Sequence, residues 1–176
     1  MQFSLKILIL VVITSVLFAC SEDSNRKTET KKPIPEESLI KVNKYMVKAE
    51  NEEIDNFVRR HNWEMIKTGT GLRYQVYEDG NGPFAIRGQV IIMEYEIRLI
   101  TGDLVYSSET DGLKGFTIGY GGVESGLEEA VLLLKKGDKA HIILPSHLAY
   151  GLLGDQKRIP SRSTLIYEVK ILDIKN

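Results

Sequence analysis

A chain of 176 residues, 43% apolar and 27% charged, has room for one packed domain and some appendages. Its formal net charge of −1, with no extended Lys/Arg block, argues against nucleic acid as a partner. The single cysteine, Cys20, excludes an internal disulfide, so stability has to come from packing.

In chain order, Lys6 precedes an unbroken, mostly apolar run from Ile7 to Ala19 that ends at Cys20. A bilayer span takes about 20 apolar residues, so this shorter run reads as a signal peptide over residues 1–19. Leu17-Phe18-Ala19-Cys20 resembles a bacterial lipobox, although Phe18 is bulkier than the usual occupant of its position. The expected outcome is cleavage before Cys20 and lipidation of its thiol. That places the protein in the bacterial cell envelope, anchored to a membrane on the outer-membrane or periplasmic side. Residues 20–35 are almost all polar or charged and include Pro33 and Pro35, so they read as a tether. As a flexible coil it spans on the order of 20 Å.

Residues 36–68 carry apolar side chains at helical spacing: Leu39, Val42, Met46 and Ala49, then Ile54, Phe57, Val58 and His61. They read as a helical arm, either one helix with a break near Asn51 or two short ones. The arm can fold onto its own domain or pair with a second copy as a homodimer. The first is favoured, because the apolar stripe holds register for only two heptads.

Residues 69–176 switch to strand periodicity. Leu72 to Tyr77, Val90 to Ile100, Leu104 to Ser107, Lys139 to Leu144 and Leu165 to Ile174 read as five strands. Ser125 to Lys135 reads as the only helix between them, with Glu128 and Glu129 in its first turn and Gly137 as its stop. Antiparallel strands with one helix make an α+β domain.

Neither metal nor nucleophile chemistry finds a pattern. His61, His141 and His147 are too scattered for a ligand motif, and His141 lies on the outward phase of its strand. Ser107 and Ser108 lack a Gly-x-Ser-x-Gly context, and the glycines from Gly119 to Gly122 lack the Gly-Lys-Ser/Thr ending of a phosphate loop.

Three stretches carry a more specific signal. They are Pro145-Ser146-His147-Leu148-Ala149-Tyr150-Gly151 followed by Ile159-Pro160 and Thr164 to Val169, the segment Tyr95 to Ser108, and Phe116 to Glu129. In order and spacing they resemble the FK506-binding-protein (FKBP) type of peptidyl-prolyl isomerase, from about Gly69 to the C-terminus. The resemblance implies an antiparallel twisted sheet of about five strands wrapped around one short helix. It also implies an enzyme that works without cofactor or metal on proline-containing polypeptide clients. A prolyl imide rotates over a barrier near 20 kcal/mol set by its partial double bond, and an apolar pocket with a few donors can stabilise the twisted state without covalent chemistry.

Carried over position by position, the resemblance implies Tyr95, Tyr150 and Tyr167 as the catalytic tyrosines, with Val123, Glu124, Leu127 and Ile159 binding substrate and Phe116, Val105 and Tyr106 beside them. Glu124 is expected to act through its backbone N–H, with a solvated side chain. Several positions depart from the pattern. Val105-Tyr106 stands where active members have Phe-Asp, Lys114 where an aromatic is common, Asp155 where histidine is frequent, and Arg158 where an aliphatic is usual. Two alternatives follow. One is a catalytically weak or inactive binder of proline segments, a chaperone or assembly subunit. The other is a scaffold whose pocket is filled by its own Tyr106 or Arg158. A lipid-anchored isomerase of the envelope is expected to assist the folding of exported proteins, and the layout of leader, helical arm and single domain resembles the gliding-motility-associated isomerase lipoproteins, which implies a role in gliding motility.

Overall fold

The computed structural model describes residues 36–176; the expected signal peptide, Cys20 and the expected tether lie outside the described residues. Helix α1 runs unbroken from Glu36 to Arg60, a length of about 37 Å at 1.5 Å per residue. No break occurs at Asn51. Its Nδ2 donates to the Val47 carbonyl at 2.9 Å, and its Oδ1 accepts from Lys67 Nζ and from Arg73 Nη2, each at 3.1 Å. The polar stretch that reads as a break is the part of the helix that grips the domain. Among the described residues no helix is long and apolar enough to cross a membrane.

The strands are β1 (Ile66–Lys67), β2 (Arg73–Glu78), β3 (Val90–Leu99), β4 (Leu104–Ser107), β5 (Lys114–Thr117), β6 (Lys139–Leu144) and β7 (Leu165–Lys175). They form one seven-stranded sheet in the order β1-β2-β6-β7-β3-β4, with β5 on β3. Every pairing is antiparallel. The five strands read from sequence are all present, and β1 and β5 are additions. One edge of β3 is shared: Val90 to Met93 pair with β5, and Glu96 to Arg98 pair with β4. The chain turns between them through the one-turn helix α2 (Ser108–Asp111), capped by the Ser107 side chain, which accepts from the Thr110 N–H.

The main helix of the domain, α3, covers Ser125–Val131 and stops short of the expected Lys135. Nor is it alone, since α2 and a 3-10 turn at Ser146–Leu148 also lie in the domain. The residues after α3 are diverted because Asp138 captures the chain. Its Oδ2 accepts from Lys135 N and its Oδ1 from Gly80 N, both at 2.7 Å. Helix α3 lies close to the sheet at Gly126, where an added Cβ would stand 2.7 Å from Leu144 Cδ2.

Alternation on the strands sorts side chains to two faces. Ile91, Met93, Tyr95 and Ile97 of β3, Ala140, Ile142 and Leu144 of β6, and Leu165, Tyr167, Val169 and Ile171 of β7 face α3 and make the main core with Leu127, Ala130, Val131 and Leu134. The opposite face is covered in part by the second half of α1, where Ile54 and Phe57 pack on Ile143 and Ile166. Two polar clamps hold it there. Buried Arg73 pairs with Asp55 at 2.6 Å. Glu50 accepts from Ser146 N at 2.6 Å and from Thr164 Oγ1 at 2.7 Å. The helix therefore folds onto its own domain over this half, while Leu39, Val42, Tyr45 and Met46 in the first half stay exposed.

His141 is on the outward face as expected, but it is not free. Its ring stacks between Trp63 at 4.1 Å and Tyr77 at 4.5 Å, and this burial lowers its pKa from the ordinary 6.5.

Candidate functional site

The chemistry implied by the sequence requires tyrosines from three separated segments to converge, and they do. Tyr95 comes from β3, Tyr167 from the neighbouring strand β7, and Tyr150 from the turn after β6; all three belong to or pack against the main core. Tyr95 is fixed by Ser108, whose Oγ accepts from the Tyr95 N–H at 3.1 Å and donates to its carbonyl at 3.3 Å. Val105, Leu127 and Ile159 are buried in the same cluster, and Tyr106, Phe116 and Val123 are half-buried against it. All nine of these candidate residues thus reach one side of the sheet.

Glu124 departs from the expectation of a solvated side chain. It is only 5% exposed, and its Oε1 accepts a hydrogen bond from the buried Tyr167 hydroxyl at 2.6 Å. Its Oε2 is buried without a hydrogen-bond partner, and the Lys114 ammonium stands 3.5 Å away. That ammonium also lies 5.5 Å from the centroid of the Tyr95 ring and 5.9 Å from that of Tyr167. An ammonium over an aromatic face is attracted by the negative π-surface. The reason for the burial is positional. Glu124 immediately precedes α3, whose Leu127 N–H and Glu128 N–H both bond back to the Glu124 carbonyl, so its side chain is carried under the sheet with the helix start.

These contacts set the protonation states. Burial works to raise the Glu124 pKa, but the Lys114 charge and the Tyr167 hydrogen bond outweigh it and hold the carboxyl below its ordinary 4.5. Burial, then the Glu124 charge, pushes the Tyr167 and Tyr150 hydroxyls upward, and burial, then Asp111, does the same to Tyr95. All three remain protonated donors at neutral pH.

The positions around the mouth are rebuilt together. The Tyr106 hydroxyl donates to the Asp155 carboxylate, whose Oδ1 accepts from the Lys157 and Ile159 N–H groups, each at 2.8 Å. Arg158 lies 4.7 Å from the Tyr106 ring centroid, and its Nη1 donates to the Val105 carbonyl at 3.0 Å and to Asp111 at 3.1 Å. An acid is therefore present beside Tyr106, supplied by the loop instead of by the strand. Neither Tyr106 nor Arg158 is the group that lies over Tyr167; Lys114 is. Leu127 and Tyr167 are at 0% exposure, so neither presents a surface to solvent in this conformation. An open space of about 650 Å³ lies elsewhere, between α1 and the loop that ends at Thr164. Among the described residues no group of three His, Cys, Asp or Glu side chains comes together to hold a metal.

The loop that carries Asp155 and Ile159 depends on Gly154. Its φ is +66°, and an added Cβ would stand 2.2 Å from the Ile159 carbonyl oxygen. Gly154→Ala is therefore expected to cost about 1–3 kcal/mol and to displace Ile159 and Asp155. Urea unfolding measures the cost, and amide shifts of Asp155 to Ile159 report the displacement.

A pH dependence follows from two of the lowered groups, Glu124 and His141, the ones in packed surroundings. Both Glu124 and His141 have folded pKa values below their unfolded ones, so the unfolded chain binds more protons and stability is lost as pH falls. The loss starts below about 6.5 through His141 and deepens below about 4.5 through Glu124. Urea midpoints between pH 7.5 and 3 should show both steps, and His141→Phe should remove the first while keeping the stack.

A twisted antiparallel sheet closing on one short helix, with tyrosines from three segments meeting over an aliphatic floor, defines the class of FKBP-like α+β domains. Comparison with known proteins agrees. The FKBP-type peptidyl-prolyl cis-trans isomerase family matches over residues 82–172, and the chain belongs to that family. It is 36% identical over 107 residues to the probable FKBP-type peptidyl-prolyl cis-trans isomerase FkpA of Neisseria meningitidis, covering 61% of this chain and 39% of that protein. It is 35% identical over 107 residues to FK506-binding protein 1A of Neurospora crassa, covering 60% of this chain and 89% of the relative. The chain thus spans about two fifths of the length of the FkpA relatives. A crystal structure of a peptidyl-prolyl cis-trans isomerase from Pseudomonas syringae shares the fold at TM-score 0.64, with 20% identity over 76% of this chain and 96% of that one.

Proposed function

We propose that the protein is a peptidyl-prolyl cis-trans isomerase that assists the folding of exported or envelope proteins. The convergence of Tyr95, Tyr150 and Tyr167 over Leu127 and Ile159, in a member of this family, is the observation that carries the reading. In this mechanism the rings of Tyr95 and Tyr167 flank the prolyl ring, Leu127 supports it, and the Tyr150 hydroxyl donates to the chain as the imide twists. Val105, Tyr106, Phe116, Val123 and Glu124 shape the rest of the contact. Excluding water favours the twisted state, in which charge separation is lost. Lowering the barrier by ~5 kcal/mol accelerates exchange several thousand-fold.

The test is cis/trans exchange of Xaa-Pro peptides with the purified protein. Turnover should exceed background and fall about tenfold or more in Tyr150→Phe. Exchange no faster than background across the peptide set would sink the enzymatic reading.

A second reading, a weak or inactive binder of proline segments, is favoured by one observation: Lys114 and Glu124 already occupy the space over Tyr167. Binding without turnover would establish it. Location in the envelope, anchored through lipid on Cys20, rests on the leader, and incorporation of labelled palmitate that is lost in Cys20→Ala tests it. A role in gliding motility rests on the layout of leader, arm and domain, and loss of surface movement on deletion tests it. Pairing of two copies through the arm rests on the exposed residues Leu39, Val42 and Met46, and sedimentation at two protein concentrations tests it.

A further inference from the structure

Two positions that line the prolyl site carry opposite charges, and they meet inside it. The Lys114 ammonium stands 3.5 Å from Glu124 Oε2 and over the rings of Tyr95 and Tyr167, the surfaces on which a prolyl ring must lie. A ring can enter only by displacing that ammonium. Displacement leaves the Glu124 carboxylate with the Tyr167 and Tyr150 hydroxyls beside it and no counter-ion, in a residue that is only 5% exposed. A buried carboxylate without a counter-ion is strongly disfavoured, so the incoming chain binds best when it replaces the lost cation.

The rest of the mouth has the same bias. Its charged groups are the carboxylates Glu124, Asp111 and Asp155 against the cations Lys114 and Arg158, and Arg158 is already engaged with Asp111 and the Val105 carbonyl. Once Lys114 swings out, no free cation remains on the inner wall. An acidic residue beside the proline meets that wall as a like charge, while an apolar one leaves Glu124 unpaired.

We propose that Lys114 and Glu124 are the specificity determinants of the site, reserving it for proline segments with a Lys or Arg beside the proline, whose cation takes the place of the Lys114 ammonium against Glu124. The inference rests on the prolyl-site reading above. The Lys114 side chain is in effect the resident ligand, a tethered ammonium that a substrate cation exchanges with.

The experiment compares peptides Ala-Xaa-Pro-Phe with Xaa as Lys, Leu or Glu, measuring both exchange rate and binding by titration. In the wild type, Lys is expected to exceed Leu about tenfold, with Glu weakest. Glu124→Gln keeps the volume and removes the charge, and should abolish the Lys advantage. The pair Lys114→Phe with Glu124→Ile should make Leu the preferred residue. Should that pair fail to fold, Glu124→Gln alone decides. Equal use of Lys and Leu by the wild type, or a Lys preference that survives Glu124→Gln, overturns the proposal. The two readings separate cleanly. Lys-selective binding lost in Glu124→Gln, without catalysed exchange, keeps the specificity and removes the isomerase; exchange without preference does the reverse. No binding and no exchange with any peptide removes both.

Discussion

Tyr167→Ala is expected to lower the unfolding free energy by about 3–5 kcal/mol, among the largest effects of any single substitution in the domain. Tyr167 is fully buried on β7, between β3 and β6, and its ring belongs to the main core. Truncation leaves a cavity that neighbouring strands, fixed by ladders on both sides, cannot close. It also strips Glu124 of the hydroxyl donor at 2.6 Å, and a buried carboxylate left with one fewer partner adds to the loss. Tyr167→Phe separates the two contributions. It preserves the ring and should cost about 1–3 kcal/mol, the share that belongs to the hydrogen bond. Urea denaturation followed by Trp63 fluorescence measures both. An alanine variant within about 1 kcal/mol of the wild type would show that the site, not the core, is what Tyr167 serves.

The architecture was legible because its signals are local. Alternation at Tyr95, Ile97, Tyr167 and Val169 puts the same residues on the buried face that the strands bury, and the spacing of the Ala149-Tyr150-Gly151 turn from Ile159-Pro160 carries the loop between them. Strand β1 escaped because two residues are too short to display a period, and β5 because Lys114-Gly115-Phe116-Thr117 has a single apolar residue and so no apolar alternation. The end of α3 was misplaced because helical spacing continues past Val131, while Asp138, held by the distant Gly80 N–H, captures the Lys135 N–H and turns the chain away. The site was legible as a set of positions and illegible as electrostatics. Lys114 and Glu124 each read as an isolated departure or a solvated side chain, since the two side chains, ten positions apart, meet only in the folded chain. The available signal was their joint occurrence: two opposite charges at two positions lining one apolar pocket compensate each other. Asp155 was hidden in the same way, because its partner Tyr106 is distant in the chain and reached only through the loop.

Ile54→Ala is expected to release α1 from the domain at a cost of about 2–5 kcal/mol, felt locally instead of globally. Ile54 is fully buried, but it belongs to a small cluster with Phe57, Ile143 and Ile166 on the face of the sheet opposite the main core. Its loss therefore leaves the packing between α3 and the sheet intact. Hydrogen exchange should show the difference, with α1 amides losing protection while those of β3 and β7 hold. Uniform loss of protection would instead make the helix part of one cooperative unit with the sheet. The effect should reach the site through Glu50, because its carboxylate holds both Ser146, just before the Tyr150 turn, and Thr164, just before β7 and Tyr167. The helix thus braces the two ends of the segment that carries Tyr150, Asp155 and Ile159. Glu50→Gln keeps the apolar seat of α1 and weakens only that brace, by about 1–2 kcal/mol. If the brace matters to the site, Glu50→Gln and Ile54→Ala should both broaden the amide resonances from Tyr150 to Ile159, although neither residue touches the pocket.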